Sequence, residues 1–352
     1  MWLGITPEWR GHYSKAWLRR NLRGFKPDLV FSSVHSMSTI LFANWIAQQT
    51  GRPHVLHIMD EPFKHADPAE VKSLLQCTRS FLTISETMRS TYRKRYGLDS
   101  QVFHNGAEEE FFNPPPRQTT GKNAPIRIRF IGNLLQLQHF QAIEDIATAV
   151  RQHNRTNSRP ASLEIFGGEH PEGCSEEILH ADEVTYHGRI DLVDRLSTIA
   201  EADLLAIPFT FNPGYFEEYR LSIPTKLPEN LATGIPVLLY GPKGMAATDF
   251  CLRHDLATVL TKRSVPDLLK VIKDLVENPQ PFREKASSAK VSYPYYRNGS
   301  TVGIADMQLP NSFTWFGYRY LFDTANPDKS SGRSTSGFTL GLGLNQTISL
   351  KT

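Results

Sequence analysis

Ser222-Ile-Pro-Thr-Lys-Leu-Pro-Glu-Asn-Leu-Ala-Thr-Gly-Ile-Pro-Val237 is the most specific stretch of this chain. It reads as a polar loop, a short helix over 224–233, a turn at Gly234 and a buried strand through Tyr240. Pro224 suits the first turn of that helix, because the N–H it lacks has no intrahelical partner there. The remaining amides of the turn, with Lys226 beside them, offer a site for a diphosphate. Glu229, one turn further on, can accept hydrogen bonds from two sugar hydroxyls. An ordinary capped helix in an α/β sheet is the competing reading of this string taken alone.

Upstream, short apolar runs suited to buried parallel strands alternate with helix patterns. The strands are Ile126-Arg-Ile-Arg-Phe-Ile, Ser162-Leu-Glu-Ile-Phe, Val184-Thr-Tyr and Ala202-Asp-Leu-Leu-Ala-Ile; helices fall over 142–151 and 192–200. Pro114-Pro-Pro-Arg-Gln-Thr-Thr-Gly-Lys-Asn is a linker. Before it runs a second series: a strand at Pro27-Asp-Leu-Val-Phe-Ser, a helix stopped by Gly51 and Pro53, and a strand over 54–59. A helix over 68–77, a strand at 80–84 and a helix capped by Ser85 that ends near Gly97 complete it. Alternation of this kind predicts two parallel sheets in tandem, with a ligand cleft at the carboxyl ends of their strands. The expected division is a partial first domain over 1–113, a linker over 114–124, a second domain over 125–288 and a tail over 289–352. In that tail Phe316 to Phe322 and Phe338 to Leu350 alternate with period two, a β-hairpin pattern.

The 222–237 string resembles the donor-site signature of nucleotide-sugar glycosyltransferases with the GT-B fold, S-x-P-x-K-x-x-E-x-x-A-x-G-x-P. The resemblance covers residues 25–288 and implies two Rossmann-like α/β domains, the first incomplete here. It implies that the second domain binds a nucleoside diphosphate sugar, with Ser222 among the donor-binding residues, Lys226 near the phosphates and Glu229 on the ribose. Phe130-Ile-Gly-Asn-Leu resembles the strand–Gly turn that opens the donor domain, bringing the amides of Gly132 and Asn133 to the phosphates. Ile165-Phe-Gly-Gly, with Gly167 and Gly168, resembles the turn that packs against the base, and Tyr186-His-Gly-Arg brings His187 toward the ligand. His57-Ile-Met-Asp-Glu-Pro resembles the H-x-M-D-D strand end of some bacterial relatives, so Asp60 or His57 is the candidate base for the acceptor hydroxyl. Two departures matter. Leu221 stands where relatives carry another glutamate, so its sugar contact is absent or is supplied by Glu217 or Glu218. Gln136, Gln138 and His139 replace the usual arginine and lysine, leaving Lys226 more of the phosphate charge.

A net charge of +3 over 352 residues argues against a nucleic-acid partner. Cys77, Cys174 and Cys251 form no C-x-x-C pair, and the histidines lack metal-ligand spacing. No signal peptide or spanning apolar run is found, so a cytoplasmic location is expected. The basic stretches at 17–23 and 89–95 read first as solvated helix faces and second as contact with anionic membrane at its inner face. No cofactor and no obligatory divalent ion is expected, for want of a D-x-D motif in a suitable loop. The sequence thus points to sugar transfer from a nucleoside diphosphate sugar to a hydroxyl acceptor, lipid-linked or not, in polysaccharide or glycolipid synthesis. A catalytically silent nucleotide-sugar binder and a sugar-nucleotide epimerase stay open.

Overall fold

The computed structural model describes residues 19–20, 29–34, 37–64, 66–117, 124–168, 181–292, 338–341 and 347–350. They divide into two compact units, the first running through Phe103 and taking in the 338–350 strands, the second running from His104.

The first unit orders β1 (Val30–Val34), α1 (Met37–Thr50), β2 (His54–Ile58), α2 (Pro68–Gln76), β3 (Ser80–Thr83), α3 (Glu86–Tyr96) and β4 (Gln101–Val102). Its sheet is parallel in the order β1-β2-β3-β4. Local chemistry sets the helix ends. Asp67 accepts the Ala69 and Glu70 amides at the start of α2, and Ser85 accepts the Met88 amide at the start of α3. Gly97 closes α3 at φ 69°, a left-handed conformation in which glycine carries no Cβ penalty. The basic residues Arg89, Arg93, Lys94 and Arg95 face solvent, while Met88, Tyr92 and Tyr96 are buried.

All five residues of β2 are buried, two of them histidines. His54 is satisfied on both sides: its Nδ1 lies 2.6 Å from Asn44 Oδ1 and its Nε2 lies 2.6 Å from the Ser32 hydroxyl. Because Asn44 Oδ1 can only accept, Nδ1 carries the proton and the Ser32 hydroxyl donates to Nε2. Asn44 and His54 line a cavity of about 320 Å³ with Cys77 and Arg79. Ser32, His54 and Asn44 form a buried polar clamp that ties β1, β2 and α1 together. Burial pushes the His54 imidazole down to about 4. The unfolded chain therefore takes up the proton first as pH falls through 6.5, and native stability is lost from there toward pH 4. By pH 5 the loss amounts to about 2 kcal/mol, at roughly 1.4 kcal/mol per pH unit. Urea unfolding at pH 7 and pH 5 is expected to show that much more acid loss in wild type than in His54→Gln. Equal slopes would remove His54 as the cause.

The second unit orders β5 (Ile126–Ile131), α4 (Gln136–Thr156), β6 (Ala161–Phe166), β7 (Val184–Gly188), α5 (Leu192–Ala200), β8 (Leu204–Pro208) and α6 (Pro213–Tyr219). Then come α7 (Lys226–Thr233), β9 (Val237–Tyr240), α8 (Ala246–His254), β10 (Thr258–Leu260), α9 (Val265–Glu277) and α10 (Gln280–Ser292). Its parallel sheet has the order β10-β9-β8-β5-β6-β7. The winding reverses between β5 and β8, which is where such a sheet opens a crevice at its carboxyl end. Ile128, Phe130, Ile143, Ile146, Leu163 and Ile272 build the core between the sheet, α4 and α9.

Three details differ from the sequence expectation. Phe111 and Phe112 are buried, and Lys290 Nζ donates to the Phe112 carbonyl, so the second unit claims the chain from His104, ahead of the proline linker. Arg117 within that linker donates to Asp203 at 2.8 Å, tying it to the same unit. The hairpin pairs Phe338–Gly341 with Thr347–Leu350, so both strands come from the second alternating run, whose Gly343 and Asn345 are turn formers. The 316–322 run lies outside the described residues.

Candidate functional site

At the carboxyl end of β5 the chain turns at Gly132 with φ 148°, a backbone state suited to glycine. The Gly132 amide donates to the Phe166 carbonyl at 2.8 Å. That N–H is spent in the sheet, whereas the amides of Asn133 and Leu134 meet no acceptor among the described residues. Gly167 and Gly168, at the end of β6, form the neighbouring wall. A Cβ on Gly167 would stand 2.9 Å from the Gly132 carbonyl oxygen, and one on Gly168 would stand 3.3 Å from Asn133 Oδ1. Backbone this close makes Gly167 a steric requirement, while at Gly168 the Asn133 side chain would have to give way.

Helix α7 begins at Lys226, two residues later than expected, and Pro224 accepts the Leu227 amide from just outside it. Lys226 reaches back to β5. Its ammonium sits 4.5 Å from the centre of the Phe130 ring, and a Cβ on Gly132 would lie 2.6 Å from its Nζ. It has no hydrogen-bond acceptor among the described residues, and burial, with help from the charge of Arg195, pushes it down to about 8. Glu229 forms an ion pair with Arg195 of α5, with Nη1 3.3 Å from Oε1 and Nη2 bonded to Oε2. Burial outweighs that partner and holds the Glu229 carboxyl above its ordinary range.

The remaining donor-side candidates fall around these. His187, on β7, stacks on Phe166 with ring centres 4.3 Å apart and planes 3° from parallel, so its ring is engaged in packing beside the Gly167 turn. Tyr186 donates to the Gly168 carbonyl and fixes that turn. Ser222 is half-buried just ahead of α7, its amide 3.3 Å from the Tyr219 carbonyl. Leu221 is buried, which excludes it from a sugar contact, and Glu217 pairs with Arg220 at 3.0 Å. His139 adds no charge: it accepts the Leu135 amide at 3.0 Å, and burial followed by the field of Lys226 holds it well below its ordinary value. Arg195 is the residue that sequence reasoning missed. It lies 34 residues from Glu229, on a different helix, and no local pattern links them.

In the first unit His57 is fully buried in the middle region of β2, with Nε2 3.1 Å from the Phe103 carbonyl and its ring edge-on to Phe103. That environment gives it no route to an acceptor hydroxyl. Asp60, two residues past the strand end, is exposed, whereas Glu61 bonds the Phe63 amide and turns toward Tyr92. Among the described residues no helix is long and apolar enough to cross a membrane, and no His, Cys, Asp or Glu cluster could hold a metal ion.

No protein-family profile and no curated protein matches the sequence. Solved structures do match. Sucrose-phosphate synthase from Thermosynechococcus elongatus superposes with a TM-score of 0.57 at 13% identity, covering 78% of this chain and 71% of that one. Anabaena HepE, solved with UDP and glucose, gives 0.54 at 14%, covering 78% and 74%. A trehalose-phosphate synthase from Burkholderia xenovorans, solved with glucose-6-phosphate, gives 0.56 at 10%, covering 79% and 72%. The fold is that of the GT-B glycosyltransferases, two parallel-sheet α/β units in one chain.

Proposed function

We propose that the chain is a glycosyltransferase whose second unit binds a nucleoside diphosphate sugar. One observation carries the reading: a half-buried ammonium without an acceptor among the described residues, Lys226, lies against a glycine turn at the switch point of the sheet. An anion there gains a charge-assisted hydrogen bond and supplies the acceptor that the cation lacks. Glu229, one turn along α7, supplies carboxylate acceptors for a ribose. The complex of HepE with UDP and glucose supports the same ligand class.

In the reaction, an acceptor hydroxyl oxygen attacks the anomeric carbon, and the bond from that carbon to the diphosphate oxygen breaks, its electron pair leaving with the diphosphate. Lys226 and the amides past Gly132 stabilise that leaving charge without a divalent ion. Asp60 takes the acceptor proton in this scheme, in preference to the buried His57. Cell-surface polysaccharide or glycolipid synthesis in the cytoplasm, with the acceptor at the inner membrane face, fits a donor of this kind. The basic face of α3 is available for that contact.

Glu229→Ala is expected to weaken nucleoside diphosphate binding by about 1–3 kcal/mol, the cost of stripping charged acceptors from a hydroxyl pair. Calorimetry on the folded variant tests this, and unchanged affinity would remove the donor-site assignment. Following sugar transfer, hydrolysis or epimer formation from the sugar conjugate separates a transferase from a silent binder and an epimerase.

A further inference from the structure

The site holds one carboxylate and two cations, and the second cation has no part in the sequence signature. We propose that Arg195 is a positioning residue of this site: its guanidinium fixes the Glu229 carboxylate, in charge and in direction, for the two hydroxyls of a ribose. This rests on the nucleotide-sugar reading given above.

Three contacts hold the guanidinium. Nη1 and Nη2 each meet one oxygen of Glu229, and the cation lies 5.7 Å from the centre of the Phe111 ring. Phe111 is itself buried in the turn over Glu109–Phe112, so Arg195 bridges α5, that turn and α7. A forked guanidinium takes one lone pair from each carboxylate oxygen. About two acceptor positions then remain, one per oxygen. Either can accept a ribose hydroxyl.

Charge makes the pairing necessary. The groups that act on Glu229 are Arg195 from α5, Lys226 from its own helix and Glu108 from the segment before the 109–112 turn. Burial and Glu108 favour the protonated acid, which would present an O–H where a ribose hydroxyl needs an acceptor. Lys226 stands first in line for phosphate, which leaves Arg195 as the dedicated counter-charge. Its own field on Lys226 disfavours the ammonium, so removing Arg195 strengthens the phosphate end while weakening the ribose end. That opposition separates positioning from phosphate binding.

The experiment first selects, by thermal shift, whichever of UDP, GDP, ADP and dTDP stabilises the chain. A chain stabilised by none of them overturns both the donor reading and this inference. Binding of the selected diphosphate and of its bare nucleoside is then titrated from pH 5.5 to 8 in wild type, Arg195→Met, Arg195→Lys and Glu229→Gln. Wild type is expected to hold a level nucleoside affinity. Arg195→Met is expected to lose about tenfold near pH 6, the scale of one charge-assisted hydrogen bond, and to recover as pH rises. Arg195→Lys restores the level profile, and it carries the test if Arg195→Met does not fold. A pH-independent loss in Arg195→Met, or no loss at all, overturns the proposal. So does a loss confined to the diphosphate, which would make Arg195 a phosphate ligand. If Glu229→Gln binds the nucleoside as wild type does, the donor reading fails with it; if only the arginine variants are silent, this inference falls alone.

Discussion

Lys226→Met is expected to leave the ligand-free chain more stable at pH 7 and, at the same time, to remove most of its affinity for a diphosphate. The buried ammonium titrates at about 8, against 10.5 for an ordinary lysine. Between those values the unfolded chain binds the proton and the folded chain does not, so stability is highest above pH 10.5 and declines as pH falls to 8. At pH 7 the full penalty is present, on the order of 3 kcal/mol. The ring of Phe130, 4.5 Å beneath the charge, offsets a part of it. Methionine keeps the length and loses the charge, so urea unfolding at pH 7 is expected to show a gain of about 1–3 kcal/mol. The diphosphate loses the ammonium at the glycine turn, which costs at least about 1.5 kcal/mol, or more than tenfold in affinity. The bare nucleoside, held through Glu229, should change by less than about threefold, under 0.7 kcal/mol. Equal losses for the two ligands would mean that Lys226 acts through the fold. A drop in stability would show that the ammonium is not under strain in the empty site.

The signature was readable because Pro224, Gly234 and Pro236, the neighbours of Lys226, punctuate the chain strongly enough to be recognised without a structure. The parallel sheets were legible for a related reason: each strand is a short run buried on both faces, flanked by helix caps such as Ser85 and Gly97. The same double burial hid what His57 does. All of β2 is inside, so no alternation in the sequence tells the two histidines apart, and both are buried. Residues 241–292 had no assigned element, although they supply α8, β10, α9 and α10. β10 is a strand of three half-buried residues, too short to carry a pattern. The first unit's boundary was set by its prolines, whereas packing places it at His104, because Phe111 and Phe112 bury themselves against the second unit. Arg195 was illegible for the plainest reason: ion pairs across helices leave no periodic trace.

The Asp145 network is another contact of that kind, and it carries the largest stability effect expected in the second unit. Asp145 is buried on α4, accepts the Tyr240 hydroxyl at 2.9 Å and receives Nε and Nη2 of Arg263, each at 2.9 Å. The Tyr240 oxygen in turn accepts the Ser264 amide at 2.9 Å, and Ser264 caps α9 through the Asp267 amide. One carboxylate thus joins a helix, the end of β9 and the start of a second helix. Burial holds the phenol above its ordinary range, so it stays a donor at any working pH. Asp145→Ala leaves that donor unsatisfied in the core, a cost of about 1–3 kcal/mol. Losing a buried ion pair outright costs about 3–5 kcal/mol, but Arg263 is half-exposed and can turn to water, so a total near 3 kcal/mol is expected. Asp145→Asn keeps an acceptor for Tyr240 and should cost less than half as much. Tyr240→Phe removes the orphaned donor, so the double variant with Asp145→Ala should be more stable than the sum of single losses predicts, by about 1 kcal/mol or more. Strict additivity would show that the hydroxyl finds another partner and that the network is weaker than its distances imply. Diphosphate affinity in the folded variants should stay within about twofold, 0.4 kcal/mol, because Lys226, Glu229 and the Gly132 turn belong to other elements. A larger change would mean that α4 and β9 hold the glycine turn in place and that the stability of this unit and its binding are not separable.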